Sequence, residues 1–243
     1  MSPRLAPSDL RRVLARLLFV QATLNRRGMQ NIGVLHALAA AAPKLSREPL
    51  ALLARHNDHF NTNPNAVPIV VGSVLRIEED GLATAPVPIA RFKQAACSAL
   101  AATGDVLMVG GLKPLALTLA VVSAIYSFST GLVAIVVLYN AALLAGRAWG
   151  LRFGYARGWG IVDAFTGPRV QRVVMLARIL AAFAGGAMVA VIARRTYAAS
   201  LPDMLLLLAA TLAAGIAIKR GLNVARIAIV LFPLVVLVAM LVK

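Results

Sequence analysis

Residues 60–72 read FNTNPNAVPIVVG, placing three asparagines, a threonine and two prolines directly before an apolar run. Pro64 removes a backbone donor and disfavours helix at Asn63, so a helix arriving here has to stop. The surrounding chain makes such a stop unusual. Of its 243 residues, 60% are hydrophobic and 14% charged, and the mean hydropathy is +0.81. That charged fraction is too low for an ordinary soluble surface, so composition alone points to a membrane protein. The lipid interior offers no hydrogen bonds, and backbone that leaves helical geometry there has to line a cavity or be covered by protein.

Working outward toward the C-terminus, Leu115–Leu138, Val173–Ala193 and Val224–Val242 approach or reach the ~20 apolar residues that cross a bilayer as helix, and Leu201–Ile218 is a shorter fourth. Toward the N-terminus, Leu10, Val13, Leu14, Leu17 and Leu24 recur at helical spacing, with Arg11, Arg12 and Arg16 on the other face. Two readings fit this pattern: a helix lying on the cytoplasmic membrane surface, or one packed against protein. Arg16 interrupts the apolar stretch and no cleavage site follows, so the N-terminus is expected to be retained rather than removed as a signal peptide. The expected organisation is an amphipathic helical arm over residues 1–30 and a membrane region over 31–243. Within it, residues 31–114 carry re-entrant polar breaks and 115–243 carry transmembrane helices.

The net charge of +16 comes from 25 Lys and Arg against 9 acids. No aromatic-basic interleaving accompanies it, so it marks cytoplasmic loops rather than nucleic-acid contact. Counting basic residues places 140–172 and 219–226 in the cytoplasm and the C-terminus outside. The single cysteine, Cys97, excludes an intrachain disulfide and a cysteine-based metal cage. RHNDH at Arg55–His59 sets two histidines three apart beside Asp58, but a metal needs further ligands and the remaining histidine is His36. Hydrogen bonding within the packing is the favoured role, and no metal or other cofactor is expected.

Asn61, Thr62 and Asn63 each donate and accept hydrogen bonds, the dual capacity that neighbouring sugar hydroxyls demand. A charged ligand would be costly to desolvate at membrane depth, which makes a neutral polyol the natural occupant. A plain Asn-Pro helix stop with capping side chains accounts for the same residues. A second irregular stretch, ATGDVLMVGGLKP, sets Asp105 in apolar surroundings, where an ionisable side chain is by default a candidate for function. Pairing with Lys113 is its structural alternative. Glu78 and Glu79 close the apolar segment that follows the first break and are candidates for the same cavity. No hydrolytic triad is present, so an enzyme acting alone is not expected.

Taken in order, Gln21, Asn25, Met29–Asn31 (MQN), Gly33, Arg55 and His56, Phe60–Pro64, Gly72, Glu78 and Glu79 resemble the IID subunit of mannose/fructose/sorbose-type bacterial phosphotransferase systems (PTS). GDVLMVGGLKP, Tyr139–Asn140, Arg147, Gly150 and Phe153–Gly158 (FGYARG) continue the likeness. The family's tryptophan after Gly-Asp is Val109 here, and its Arg-Pro is Lys113-Pro114. The resemblance implies an all-α integral membrane protein of the inner membrane, related to its IIC partner as an inverted half. It implies no catalysis by this chain itself, sugar phosphorylated by a IIB subunit charged from IIA, a trimer of IIC–IID heterodimers, and elevator-type movement. Matched motif to motif, it points to Asn61, Thr62 and Asn63 as lining a hexose site, with Gln30, Glu78 and Asp105 beside them. A non-transporting scaffold or sensor of PTS state is the alternative.

Overall fold

A computed structural model describes residues 5–81, 87–196 and 209. Among them the fold is helical, and extended pairing is confined to two isolated bridges, Asn25 with Met29 and Met29 with Phe60. The expected spans Leu201–Ile218 and Val224–Val242 lie outside the described residues. The first unit of the chain runs to Gly185, and the second, 186–243, contributes the end of one helix to the described set.

Helix α1 (Pro7–Leu17) starts with Pro7 at its first position, where the missing donor costs nothing, and Asp9 accepts the Ala6 amide at 2.9 Å. Its apolar stripe resolves the choice left open by periodicity. Val13 and Leu17 are buried in the protein core with Val34, Leu38 and Val70, so the stripe faces protein. Leu24 lies beyond the helix and is exposed. Three short helices follow: α2 (Asn31–Leu38), α3 (Ala42–Leu45) and α4 (Pro49–Arg55).

Helix α5 (Val67–Asp80) is too short to cross a membrane, and twelve of its fourteen residues are buried. Burial inside a bundle is therefore how this segment meets the constraint its length imposes. Its main neighbour is α8 (Ser129–Arg157). The crossing is built on glycine: a Cβ on Gly154 would lie 1.9 Å from the Ile69 carbonyl oxygen, and one on Gly72 would lie 2.1 Å from that of Leu151. Backbone touches backbone at both points, as small-residue packing between membrane helices allows.

Helix α6 (Ile89–Leu107) leads through a π-turn at Met108–Leu112 directly into α7 (Lys113–Ile125). The second break expected from ATGDVLMVGGLKP is thus a widened turn inside one continuous helix. Its cause is local: Pro114 has no amide to donate and its ring crowds the preceding turn, while the Lys113 amide reaches back five residues to the Met108 carbonyl. Another expectation also changes. Leu115–Leu138 is not one span, because the chain reverses at Tyr126–Phe128, where Ser127 adopts φ 55°. The turn carries no charge or proline, only Ser127 between two aromatic residues, which is why hydropathy joined the two helices. Arg147, Arg152 and Arg157, expected in a loop, are carried on α8.

After a 3₁₀ turn at Gly158–Gly160 come α9 (Ile161–Thr166) and α10 (Pro168–Thr196). Among the described residues, three helical stretches are long and apolar enough to cross a membrane: Ile89–Ile125, Ser129–Thr166 and Pro168–Val189.

Candidate functional site

The polar break is an extended segment threaded across a tight turn. Asn25 and Met29 exchange backbone hydrogen bonds at 3.1 and 3.0 Å, and the Asn25 side-chain oxygen accepts the Gly28 amide at 2.7 Å. Met29 takes φ 56° to close this turn. The turn then offers its outer edge to the break: Phe60 N–H donates to the Gly28 carbonyl at 3.2 Å, and Gln30 N–H donates to that of Phe60 at 2.9 Å. Backbone that would otherwise be orphaned is thereby satisfied.

Gln30 extends the same pairing with its side chain. Its Nε2 donates to the Thr62 carbonyl at 2.9 Å and its Oε1 accepts the Thr62 amide at 3.0 Å, in a buried setting. The primary amide imitates the next backbone unit of a strand, a task that needs a donor and an acceptor side by side. Thr62 Oγ1 donates to the Cys97 carbonyl on α6 at 2.9 Å, tying the break to that helix. Gln30 and Thr62 are both buried, so their polar groups are spent within the fold.

Asn63 faces the other way along α6. Its Nδ2 donates to Asp105 Oδ1 at 2.8 Å, its Oδ1 accepts the Asn65 amide at 3.0 Å, and its carbonyl accepts the Ala66 amide at 2.8 Å. It therefore serves both as stop for the break and as bridge to the carboxylate. Gly104 makes room for it, since a Cβ there would lie 2.7 Å from that of Asn63. Asn61 is exposed, in contrast to its neighbours. Asp105 lines an open hollow of about 430 Å³ together with Val106, Val109, Gly110 and Arg178.

Glu78 belongs to a different cluster. Its Oε1 lies 2.9 Å from His56 Nε2 and its Oε2 lies 3.2 Å from Arg55 Nη2. Glu79 accepts the Leu5 amide at 2.9 Å and bonds the Tyr155 hydroxyl. These contacts tether α4 and the start of α1 to α5, away from the residues that line the hollow. Residues 55–59 also do not form one helix face: α4 ends at Arg55, His56 is buried and His59 is exposed. Asp58 pairs with buried Lys93 on α6.

The structure thus brings Gln30 to Thr62 and Asn63 to Asp105, leaves Asn61 open, and sets Glu78 apart. Two arginines join this region, of which Arg147 entered the sequence reading only through the family likeness and the count of basic residues, and Arg178 did not enter it. Arg147 on α8 donates through Nε to Asn65 Oδ1 at 3.0 Å, and Arg178 on α10 faces the hollow. The signal for Arg178 was available, since a guanidinium in the middle of an apolar run demands a polar destination.

The comparisons with known proteins agree in one direction. The family model described as "PTS system mannose/fructose/sorbose family IID component" matches residues 4–242. The sorbose-specific EIID component of Lacticaseibacillus casei is 31% identical over 171 residues, which are 65% of this chain and 61% of that protein. The mannose-specific EIID component of Escherichia coli (strain K12) is 29% identical over 193 residues, 76% of this chain and 68% of the relative. The fructose permease IID component of Bacillus subtilis (strain 168) is 27% identical, covering 76% and 70%. Two solved structures share the fold at 24% identity. One, of the mannose transporter ManYZ in complex with microcin E492, has a TM-score of 0.59 and covers 96% of this chain and 95% of its own. The other, described as a membrane protein, has a TM-score of 0.72 and covers 96% of both.

Proposed function

This chain belongs to the IID-component family of the mannose/fructose/sorbose phosphotransferase systems, and from that premise we propose that it is the membrane subunit through which, with a IIC partner, a hexose enters the cell. The observation that carries the reading is the family match over residues 4–242. Its relatives are named as sorbose-, mannose- and fructose-specific components, which supports a hexose as cargo. The three apolar helical stretches long enough to span a bilayer among the described residues support a membrane setting, proposed as the bacterial inner membrane. A non-transporting scaffold is not favoured, because these relatives carry transport-system names.

In this proposal Asn61 and Asp105 meet sugar hydroxyls, while Gln30, Thr62 and Asn63 hold the break in shape. Glu78 is proposed to bear on the sugar site only through the placement of α5. The chain itself makes and breaks no covalent bond. A IIB subunit, charged by IIA, phosphorylates the sugar on delivery. The assembly is a trimer of IIC–IID heterodimers, with IIC an inverted relative of this chain and the sugar carried by elevator movement.

The test is uptake of radiolabelled mannose, fructose and sorbose by cells expressing this chain with its own IIC and IIB. Accumulation of sugar phosphate that depends on all three supports the reading. An assembled complex that moves none of these sugars overturns it.

A further inference from the structure

Two charges of opposite sign occupy the middle of apolar helices and border one hollow. Asp105 is the seventeenth residue of the 37-residue stretch Ile89–Ile125, and Arg178 the eleventh of the 22-residue stretch Pro168–Val189. At about 1.5 Å per residue, Arg178 lies roughly 15 Å from either end of its stretch, half the thickness of a hydrocarbon core. It is exposed, and no ion pair or hydrogen bond holds it among the described residues. A guanidinium at that depth is excluded from lipid by its cost, so it has to face water, protein or ligand. Its neighbours on α10 sharpen the contrast, because Met175, Leu176 and Ile179 are large, apolar and exposed.

The hollow gives Arg178 its destination. The π-turn sets Gly111 against Ala177, so close that a Cβ on Gly111 would lie 2.9 Å from that of Ala177. This contact brings α10 onto the widened turn and seats Arg178 at the rim beside Val109 and Gly110. Asp105 lines the same hollow, with Oδ1 held by Asn63. The volume of about 430 Å³ suits a small ligand. Its charge pattern narrows the chemistry further: an anionic ligand meets the Asp105 carboxylate, and a cationic one meets Arg178. A neutral polyol satisfies both, since a guanidinium fork donates to two adjacent hydroxyls while a carboxylate accepts from a third.

Resting on the transport reading, we infer that Arg178 is a sugar-contact residue, pairing with Asp105 in this hollow to fix adjacent hydroxyls of the hexose. The exposed Asn61 belongs to the same polar segment as Asn63. The break therefore supplies the site's scaffold, and α10 supplies a recognition group that helps set specificity.

The experiment measures uptake of radiolabelled mannose, fructose and sorbose by the full complex, in competition with monodeoxy derivatives, for the unaltered chain, Arg178→Gln and Arg178→Lys. Arg178→Gln is expected to raise the apparent KM about ten- to a hundredfold, with Arg178→Lys intermediate. It is also expected to shrink the penalty for one particular missing hydroxyl, a change that a merely structural arginine would not produce. Size-exclusion of the purified complex is expected to show both variants assembled. Unchanged KM and unchanged deoxy-sugar discrimination overturn the inference while leaving the transport reading intact. Loss of assembly in both variants also overturns it, by making Arg178 a subunit contact. Absence of uptake by the unaltered complex overturns the transport reading and this inference with it.

Discussion

Asn63 Nδ2 donates to Asp105 Oδ1 at 2.8 Å, joining residues 42 positions apart and fastening the polar break to the last turn of α6. The bond has a direction, with the amide giving and the carboxylate receiving, and direction makes it testable. Asn63→Asp sets two carboxylates against each other and is expected to cost a few kcal/mol, in line with the ~1.5 to 3 kcal/mol typical of a hydrogen bond to a charged group. Asp105→Asn keeps the shape. The double variant reverses donor and acceptor, so its thermal stability is expected to recover much of the loss. A double-mutant cycle on the melting of the purified complex reads this, and additive losses would show that the two side chains are not coupled.

The amide of Gln30 is predicted to be irreplaceable by a carboxylate of the same length. In Gln30→Glu the Nε2 donor disappears and the buried Thr62 carbonyl loses its partner, at a cost of about 1 to 3 kcal/mol. Hydrogen exchange at the Thr62 amide then accelerates as the break loosens. Thr62→Ser keeps the hydroxyl that reaches the Cys97 carbonyl and is expected to leave exchange close to the unaltered rate.

Alanine at Gly72 or Gly154 is predicted to separate α5 from α8. At either position the new methyl collides with main chain rather than with a flexible side chain, so relief requires the helices to move apart. The expected readout is a lower melting temperature and loss of assembled complex. Gly146, also on α8, has nothing within 4 Å of a built Cβ, and Gly146→Ala serves as the matched control with no expected loss.

These contacts explain which features were legible in the sequence. That FNTNP is not helical was legible from Pro64, but the preceding helix already ends at Arg55, so the proline is not what stops it. That the apolar segment after the break is too short to cross a bilayer was legible from its length, whereas its burial among other helices was not. Where hydropathy was the guide, it ran two helices together over Leu115–Leu138, because the turn at Tyr126–Phe128 contains no proline, glycine or charge. GGLKP reads as a second break, yet a π-turn absorbs the missing amide of Pro114 without ending the helix. The partition of polar residues into scaffold and open groups was not legible at all. It depends on a turn at Asn25–Met29 meeting a segment thirty residues away, and no local pattern encodes that pairing.

A last prediction concerns acid. Asp9 is buried at the start of α1, where the Lys44 ammonium at 2.7 Å and the Ala6 amide hold its carboxyl below the ordinary value of 3.8. Because the folded carboxyl releases its proton more readily than the unfolded one, this pair stabilises α1 fully above that ordinary value. The contribution is lost as pH falls through the lowered folded value. Arg12 lies 3.9 Å away and adds a weaker pull in the same direction. Lys44→Met is therefore expected to loosen α1 at neutral pH, with the gap from the unaltered chain closing as the pH drops below 3.8. A spin label at exposed Ser8 reports the mobility of the helix directly. A gap that instead widens with acid would mean that Lys44 acts on α1 by some route other than the charge of Asp9. The second tether, Glu79 Oε1 to the Leu5 amide, is left intact by the substitution, so α1 is expected to loosen without leaving the core.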